Sequence, residues 1–89
     1  MTNNDENLSK DHLDVLKTSD FTLASTLYCL GYNIMGIDKN NPKRVIFYFR
    51  KTSDLEVTVD KHFNNQILVN PLDFDRAQRE IRAQIHTDR

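Results

Sequence analysis

The stretch RVIFYFR, residues 44–50, carries the clearest β-strand signal in this chain of 89 residues. Side chains alternate between the two faces of a strand, so the stretch divides into a face with two phenylalanines and a face with two arginines and a tyrosine. The first face comprises Val45, Phe47 and Phe49, and the second comprises Arg44, Ile46, Tyr48 and Arg50. We expect the phenylalanine face to enter the core.

Two further strands are predicted before this stretch. Residues 34–38 read IMGID and precede the turn sequence KNNPK, which predicts a hairpin over about residues 33–50 with a loop of about five residues. Residues 12–17 form a possible short first strand, because Leu13, Val15 and Lys17 alternate. An initial helical turn fits residues 12–17 almost as well.

The tetrapeptide KTSD occurs at residues 17–20 and again at residues 51–54. Its Thr, Ser and Asp side chains can accept hydrogen bonds from the first N–H groups of a helix, so each copy predicts a strand-to-helix junction. The first helix is predicted over residues 20–30, with Gly31 ending it. Helical periodicity places Ser25, Thr26 and Cys29 on its polar face.

After the second copy, Ser53 and Glu56 have the S-x-x-E spacing of a capping box, which predicts a helix over residues 54–63. Such a helix would turn Leu55, Val59, His62 and Phe63 toward the core. A strand is the alternative, because Leu55, Val57 and Val59 also alternate with polar residues. We favour the helix.

The last helix is predicted over residues 71–86, with Asn70 as its cap and Pro71 in its first turn. One face of this helix comprises Phe74, Ala77, Gln78, Ile81 and Ile85. Its other face carries Arg76, Arg79 and Arg82. The whole pattern predicts an α+β domain over residues 11–89, with a small antiparallel-containing sheet packed with about three helices, after a flexible tail at residues 1–10.

Composition excludes several classes of protein. The formal net charge is -1, so the chain as a whole is not polybasic, and its one cysteine cannot form an intramolecular disulfide. The N-terminus lacks the basic and apolar regions of a secretion signal, and the sequence has no apolar run of membrane-spanning length. We expect a cytoplasmic protein without a membrane partner.

Catalytic and metal-binding motifs are missing from the sequence. His12, His62, His86 and Cys29 do not have the close spacing of zinc ligands, and two glycines do not make a phosphate-binding loop. Most acidic residues fall at predicted helix starts, where they favour the helix dipole. We therefore expect no enzyme, no catalytic residue, no metal and no cofactor.

Two clusters of basic residues stand out as candidates for binding RNA or DNA. One is the strand face with Arg44, Tyr48 and Arg50, where cations flank an aromatic ring that can stack on a base. The other is the helix stripe of Arg76, Arg79 and Arg82, since arginine suits bidentate phosphate contacts. The simpler interpretations are that a helix covers the strand face, burying Ile46 and Tyr48, and that the stripe is only solvated surface.

The predicted function is a non-enzymatic accessory module associated with nucleic acid, working beside a larger protein. The alternative is a protein-interaction or structural subunit that self-assembles into a homo-oligomer. A small sheet leaves edges that can pair with another chain.

Several of these motifs together resemble a known family. The run TSDFTLASTLYCLGY, the strand RVIFYF with its Phe-x-Phe pattern, and LVNPLDFDRAQREI look like a family of small bacterial, archaeal and phage proteins classified as a domain of unknown function. The resemblance covers Val15 to Ile85. Its matching positions are architectural, so it implies the fold and no activity, substrate or site residue.

Overall fold

The structure, a computed structural model, describes residues 14–86. Within that range the elements are β1 Val15–Thr18, α1 Phe21–Cys29, β2 Ile34–Asp38, β3 Ile46–Arg50, α2 Ser53–Phe63 and α3 Pro71–His86. The predicted α+β fold is confirmed, and residues 54–63 are helical rather than extended. The predicted tail at residues 1–10 and the predicted domain start at residue 11 lie outside the described residues.

The sheet has the order β1-β3-β2, and both neighbours of the central strand β3 run antiparallel to it. Phe49 lies between Leu16 of β1 and Ile34 of β2. The predicted strand at Arg44 to Arg50 is two residues too long at its start. Arg44 belongs to the connection from β2, because its backbone N–H donates to the Asn41 carbonyl oxygen (2.9 Å) in a turn before the ladder begins.

The core lies on one face of the sheet. Phe47 and Phe49 are buried there, as predicted, together with residues from all three helices. The helical members of this core are Leu23, Ala24 and Leu27 of α1, Leu55 of α2 and Ile81 of α3. Because every helix in the described range contributes its buried residues to this face, the sheet and the helices form two layers.

The two KTSD copies cap their helices through different residues. Asp20, the fourth residue of the first copy, accepts a hydrogen bond from the Leu23 N–H (3.1 Å). Thr52, the second residue of the second copy, accepts from the Leu55 N–H (3.0 Å). The predicted capping box at Ser53 is therefore wrong, because α2 begins one residue earlier than expected and Ser53 is already helical.

Two predicted helix faces also differ from the structure. Ser25 and Thr26 were expected on the solvent face of α1 but are buried, because α1 contacts β1, α2 and α3 and so is enclosed on several sides. Cys29 is half-buried. Phe63 was expected to face the core but is 61% exposed, since α2 buries only Leu55 of its first turn and its end projects from the core.

Candidate nucleic-acid interface

The face of the sheet opposite the core is called here the outer sheet face. It comprises Val15 and Lys17 of β1, Gly36 and Asp38 of β2, and Ile46, Tyr48 and Arg50 of β3. Since the helices described between residues 14 and 86 pack on the other side, none of them covers this face. The simpler interpretation of the sequence, that a helix buries Ile46 and Tyr48, is therefore wrong for the helices of residues 14–86. Both side chains are half-buried.

Tyr48 occupies the middle of the outer sheet face. Lys17 lies directly opposite Tyr48 on β1, and Gly36 lies opposite Tyr48 on β2. Paired side chains on one face have Cβ atoms about 5 Å apart, so the lysine chain runs beside the tyrosine ring. A Cβ atom at Gly36 would sit 3.9 Å from Cδ2 of Tyr48. The ring therefore extends toward a position that has no side chain.

Two cations line a groove at one end of this face. Lys17 and Arg44 border a groove of about 270 Å³ together with Thr18, Ser19 and Ile46. No carboxylate lines it, and Arg44 is exposed. Two cations beside hydroxyl groups are suited to an anion such as a phosphate.

Arg50 places a third cation at the other end of the outer sheet face. It lies opposite Val15 in the register of β1 and β3 and is exposed. It also borders a second groove of about 350 Å³, which Tyr32, Asn33 and Met35 share. Lys17 thus lies opposite Tyr48, whereas Arg44 and Arg50 lie toward the two ends of β3 on either side of it.

None of these three cations forms an ion pair with another residue of the range 14–86. Ion pairs between described residues involve Lys51, Arg76 and Arg79, and none of them includes Lys17, Arg44 or Arg50. Asp38 adds one carboxylate to the outer sheet face, and its Oδ1 accepts from the Asn40 N–H (2.9 Å) in the following turn. Within the described range, the three cations therefore outnumber the one carboxylate of the outer sheet face, which favours an anionic ligand.

The arginines of α3, unlike those near the outer sheet face, make side-chain contacts with other described residues. Arg76 donates to Asp73 at 2.8 Å and Arg79 donates to Asp75 at 3.0 Å, both within the helix. The guanidinium of Arg82 lies 4.9 Å from the centre of the Phe21 ring. These contacts favour a stabilising role in the helix.

The six predicted site residues do not form one surface. Tyr48 and Arg50 lie on the outer sheet face with Arg44 at its end, whereas the α3 arginines lie on the helical side of the sheet. Lys17 was not among the predicted residues. Its only signal was the alternation of residues 13–17, because its partner strand could not be read from the sequence.

A further groove of about 410 Å³ lies where the end of α1 meets α3. Tyr28 donates to Glu80 across it (2.8 Å), and this hydrogen bond raises the pKa of Tyr28. Burial raises the pKa of the Cys29 thiol, and the nearby Asp73 carboxylate adds to the effect. A raised pKa lowers the fraction of thiolate, which disfavours Cys29 as a nucleophile.

Metal-ligating side chains do not converge in the part of the chain that the structure covers. No group of three or more His, Cys, Asp or Glu residues between 14 and 86 is placed to hold a metal ion. None of the helices in this range is long and apolar enough to cross a bilayer.

A three-stranded antiparallel sheet with helices on one face and a basic, aromatic outer face defines a small two-layer α+β domain. The chain belongs to the family described as Domain of unknown function (DUF5659), whose family model matches residues 14–87. The resemblance noted in the sequence is confirmed at the level of this family. Neither curated proteins nor solved structures gave a match.

Proposed function

We propose that this protein is a non-enzymatic accessory module that binds single-stranded RNA or DNA on the outer sheet face. The observation that carries the proposal is that Lys17 lies opposite Tyr48, with Arg44 and Arg50 toward the two ends of β3, on a face that no helix of residues 14–86 covers. The cations would contact phosphates and the tyrosine ring would stack on a base.

Single strands suit this face better than a duplex. The face is a sheet surface with an aromatic ring at its middle, and a base can stack on a ring only when it is unpaired and splayed out. Every base has a π face, so the stacking contact is tolerant of sequence. Cations on both sides of the ring would hold the backbone across it.

The salt dependence of affinity tests how many cations take part. Each phosphate contact to a single strand contributes a slope of about -0.7 in a plot of log affinity against log salt concentration. Three contacts from Lys17, Arg44 and Arg50 predict a slope of about -2, whereas contacts from the α3 arginines as well would predict about -4. Fluorescence anisotropy with labelled oligonucleotides measures this slope.

Paired variants locate the surface. Lys17→Gln with Arg50→Gln removes two charges from the outer sheet face and should reduce affinity at low salt by at least about tenfold. Arg76→Gln with Arg79→Gln removes two charges from α3 and is the matched control, expected to leave affinity within about twofold. Tyr48→Ala should cost about 1–3 kcal/mol of binding free energy, the value of one stacked base.

Three outcomes would contradict the proposal. One is the absence of binding at about 50 mM salt, where electrostatic affinity is strong. The second is equal loss from the outer-face pair and the α3 pair. The third is a Tyr48→Ala variant that folds and binds like the parent.

A further inference from the structure

The connection between α2 and α3 has the burial pattern of a strand. Along residues 66–70, exposed and half-buried side chains alternate strictly. Ile67 and Val69 are half-buried, whereas Leu68 between them is 93% exposed. A period of two residues is that of extended backbone, and this segment contains two β-branched residues. The segment is called here the 66–70 segment.

The half-buried side chains of this segment face the helices. Ile67 and Val69 line a pocket of about 220 Å³ with Thr26 of α1, His62 of α2 and Phe74 of α3. The inward side of the segment therefore faces residues of all three helices across this pocket. Leu68, which lies between these two residues, does not line the pocket and is exposed.

The backbone of the segment has no strand partner within residues 14–86. The Gln66 N–H donates to the Lys61 carbonyl oxygen (2.8 Å), and the Asn70 carbonyl oxygen accepts from the Phe74 N–H (2.9 Å). Between these two, Ile67, Leu68 and Val69 make no backbone hydrogen bond to any described residue. Extended backbone without a ladder is a template for pairing with another chain.

The order of residues suits a second copy of the same chain. The side-chain types of the segment have the same order in both chain directions: amide, β-branched, leucine, β-branched, amide. The residues are Gln66, Ile67, Leu68, Val69 and Asn70. In a two-fold antiparallel pair each residue meets its reciprocal partner, and this order makes every such partner a residue of the same type. The segment also carries no charge, and two copies can approach without repulsion.

We propose that a second copy of this chain covers the 66–70 segment, through an antiparallel strand pair centred on Leu68. In this register Leu68 faces its own equivalent, Ile67 faces Val69, and Gln66 faces Asn70. The Asn70 Oδ1 atom already accepts from the Leu72 N–H (2.8 Å), which leaves its amino group to donate to Gln66 of the other copy.

The edges of the sheet are less suited to this pairing. Edge strand β2 contains an irregularity between Ile34 and Gly36, which disrupts a regular ladder. Edge strand β1 has four residues and includes Lys17, a charge that would approach its equivalent or its neighbour in a symmetric pair. The proposal is independent of nucleic-acid binding, which uses the opposite layer of the fold.

The test is sedimentation equilibrium of the full chain and of two matched variants, up to about 100 μM, where small interfaces associate. The parent should dimerise, and Leu68→Lys should raise the dissociation constant at least about tenfold. Val57→Lys is the control, because Val57 is an apolar side chain 53% exposed on α2. A monomeric parent, or a Leu68→Lys variant that dimerises like the parent, overturns the proposal.

Disulfide trapping tests the register. In a Cys29→Ser background, Leu68→Cys should form a symmetric disulfide on mild oxidation, because directly opposed residues of an antiparallel pair have Cα atoms about 4.5–5.5 Å apart. Val57→Cys in the same background is the control and should crosslink at least about tenfold more slowly. Equal rates at the two positions would show that collisions, not pairing, form the bond.

Discussion

Tyr32 donates a hydrogen bond to Oδ2 of Asp54 across 2.6 Å, and this contact joins the connection after α1 to the first turn of α2. The same phenol oxygen lies 3.0 Å from Oγ1 of Thr58, one turn further along the helix. Both partners of Tyr32 lie far along the chain: Asp54 is 22 residues away and Thr58 is 26 residues away. Tyr32 therefore ties together two parts of the fold that the sequence keeps apart.

Tyr32→Phe should lower the free energy of unfolding by about 1–2 kcal/mol, because it removes these hydrogen bonds and keeps the ring. Tyr48→Phe is the control, because the Tyr48 hydroxyl makes no hydrogen bond to a residue of the described range. This change should alter the free energy of unfolding by no more than about 0.5 kcal/mol. Urea unfolding followed by circular dichroism measures both. Equal effects would contradict the assigned role of Tyr32.

The same residue should make stability sensitive to alkaline pH. The hydrogen bond to Asp54 raises the pKa of Tyr32 above its ordinary value of 10.0. A raised pKa in the folded state gives stability that is fully present below the unfolded pKa and is lost as pH rises through the folded pKa. The parent should therefore lose stability more steeply above about pH 10 than Tyr32→Phe does. Parallel pH profiles would contradict this.

Phe47→Ala should destabilise the protein by about 3–5 kcal/mol, because it opens a cavity under the central strand. Phe47 is only 1% exposed and its ring centre lies 6.5 Å from that of Phe21. Phe63→Ala makes the same chemical change at a site 61% exposed and should cost less than about 1 kcal/mol. Thermal melts of the two variants compare them, and similar losses would place the core elsewhere.

Thr52→Ala should cost about 1 kcal/mol, the usual value of a helix N-cap, because the Leu55 N–H loses its acceptor. Ser53→Ala should be near neutral, within about 0.5 kcal/mol, since Ser53 is exposed and accepts no capping hydrogen bond. Chemical denaturation of the two variants distinguishes them. A larger loss at Ser53 would restore the capping box that the sequence suggested.

Ser25→Ala should raise the free energy of unfolding by about 1 kcal/mol, because the buried Ser25 hydroxyl has no hydrogen-bond partner among residues 14–86. Thr26→Val is the contrasting change at the neighbouring position. The Thr26 hydroxyl donates to the Thr22 carbonyl oxygen (2.9 Å), so its removal should lower stability by about 1 kcal/mol or less. Destabilisation by Ser25→Ala would indicate that its hydroxyl has a partner after all.

Local sequence signals determined the elements of this protein. Alternation around Phe47 and Phe49 identified the central strand and its buried face, and Gly31, at a φ of 103°, ended the first helix as expected. Asn70 and Pro71 marked the start of the last helix. These features depend on hydrogen bonds and periodicities within a few residues, which is why one sequence is enough to predict them.

Tertiary structure alone decided which side chains share a surface. Lys17 joined Tyr48 because β1 pairs with β3 rather than with its neighbour in sequence, and Ser25 was buried because two other helices enclose α1. The arginines of α3 were separated from Arg50 because the sheet lies between them. Strand register and helix packing depend on contacts between distant residues, and the free energy of those contacts is not encoded in any local pattern.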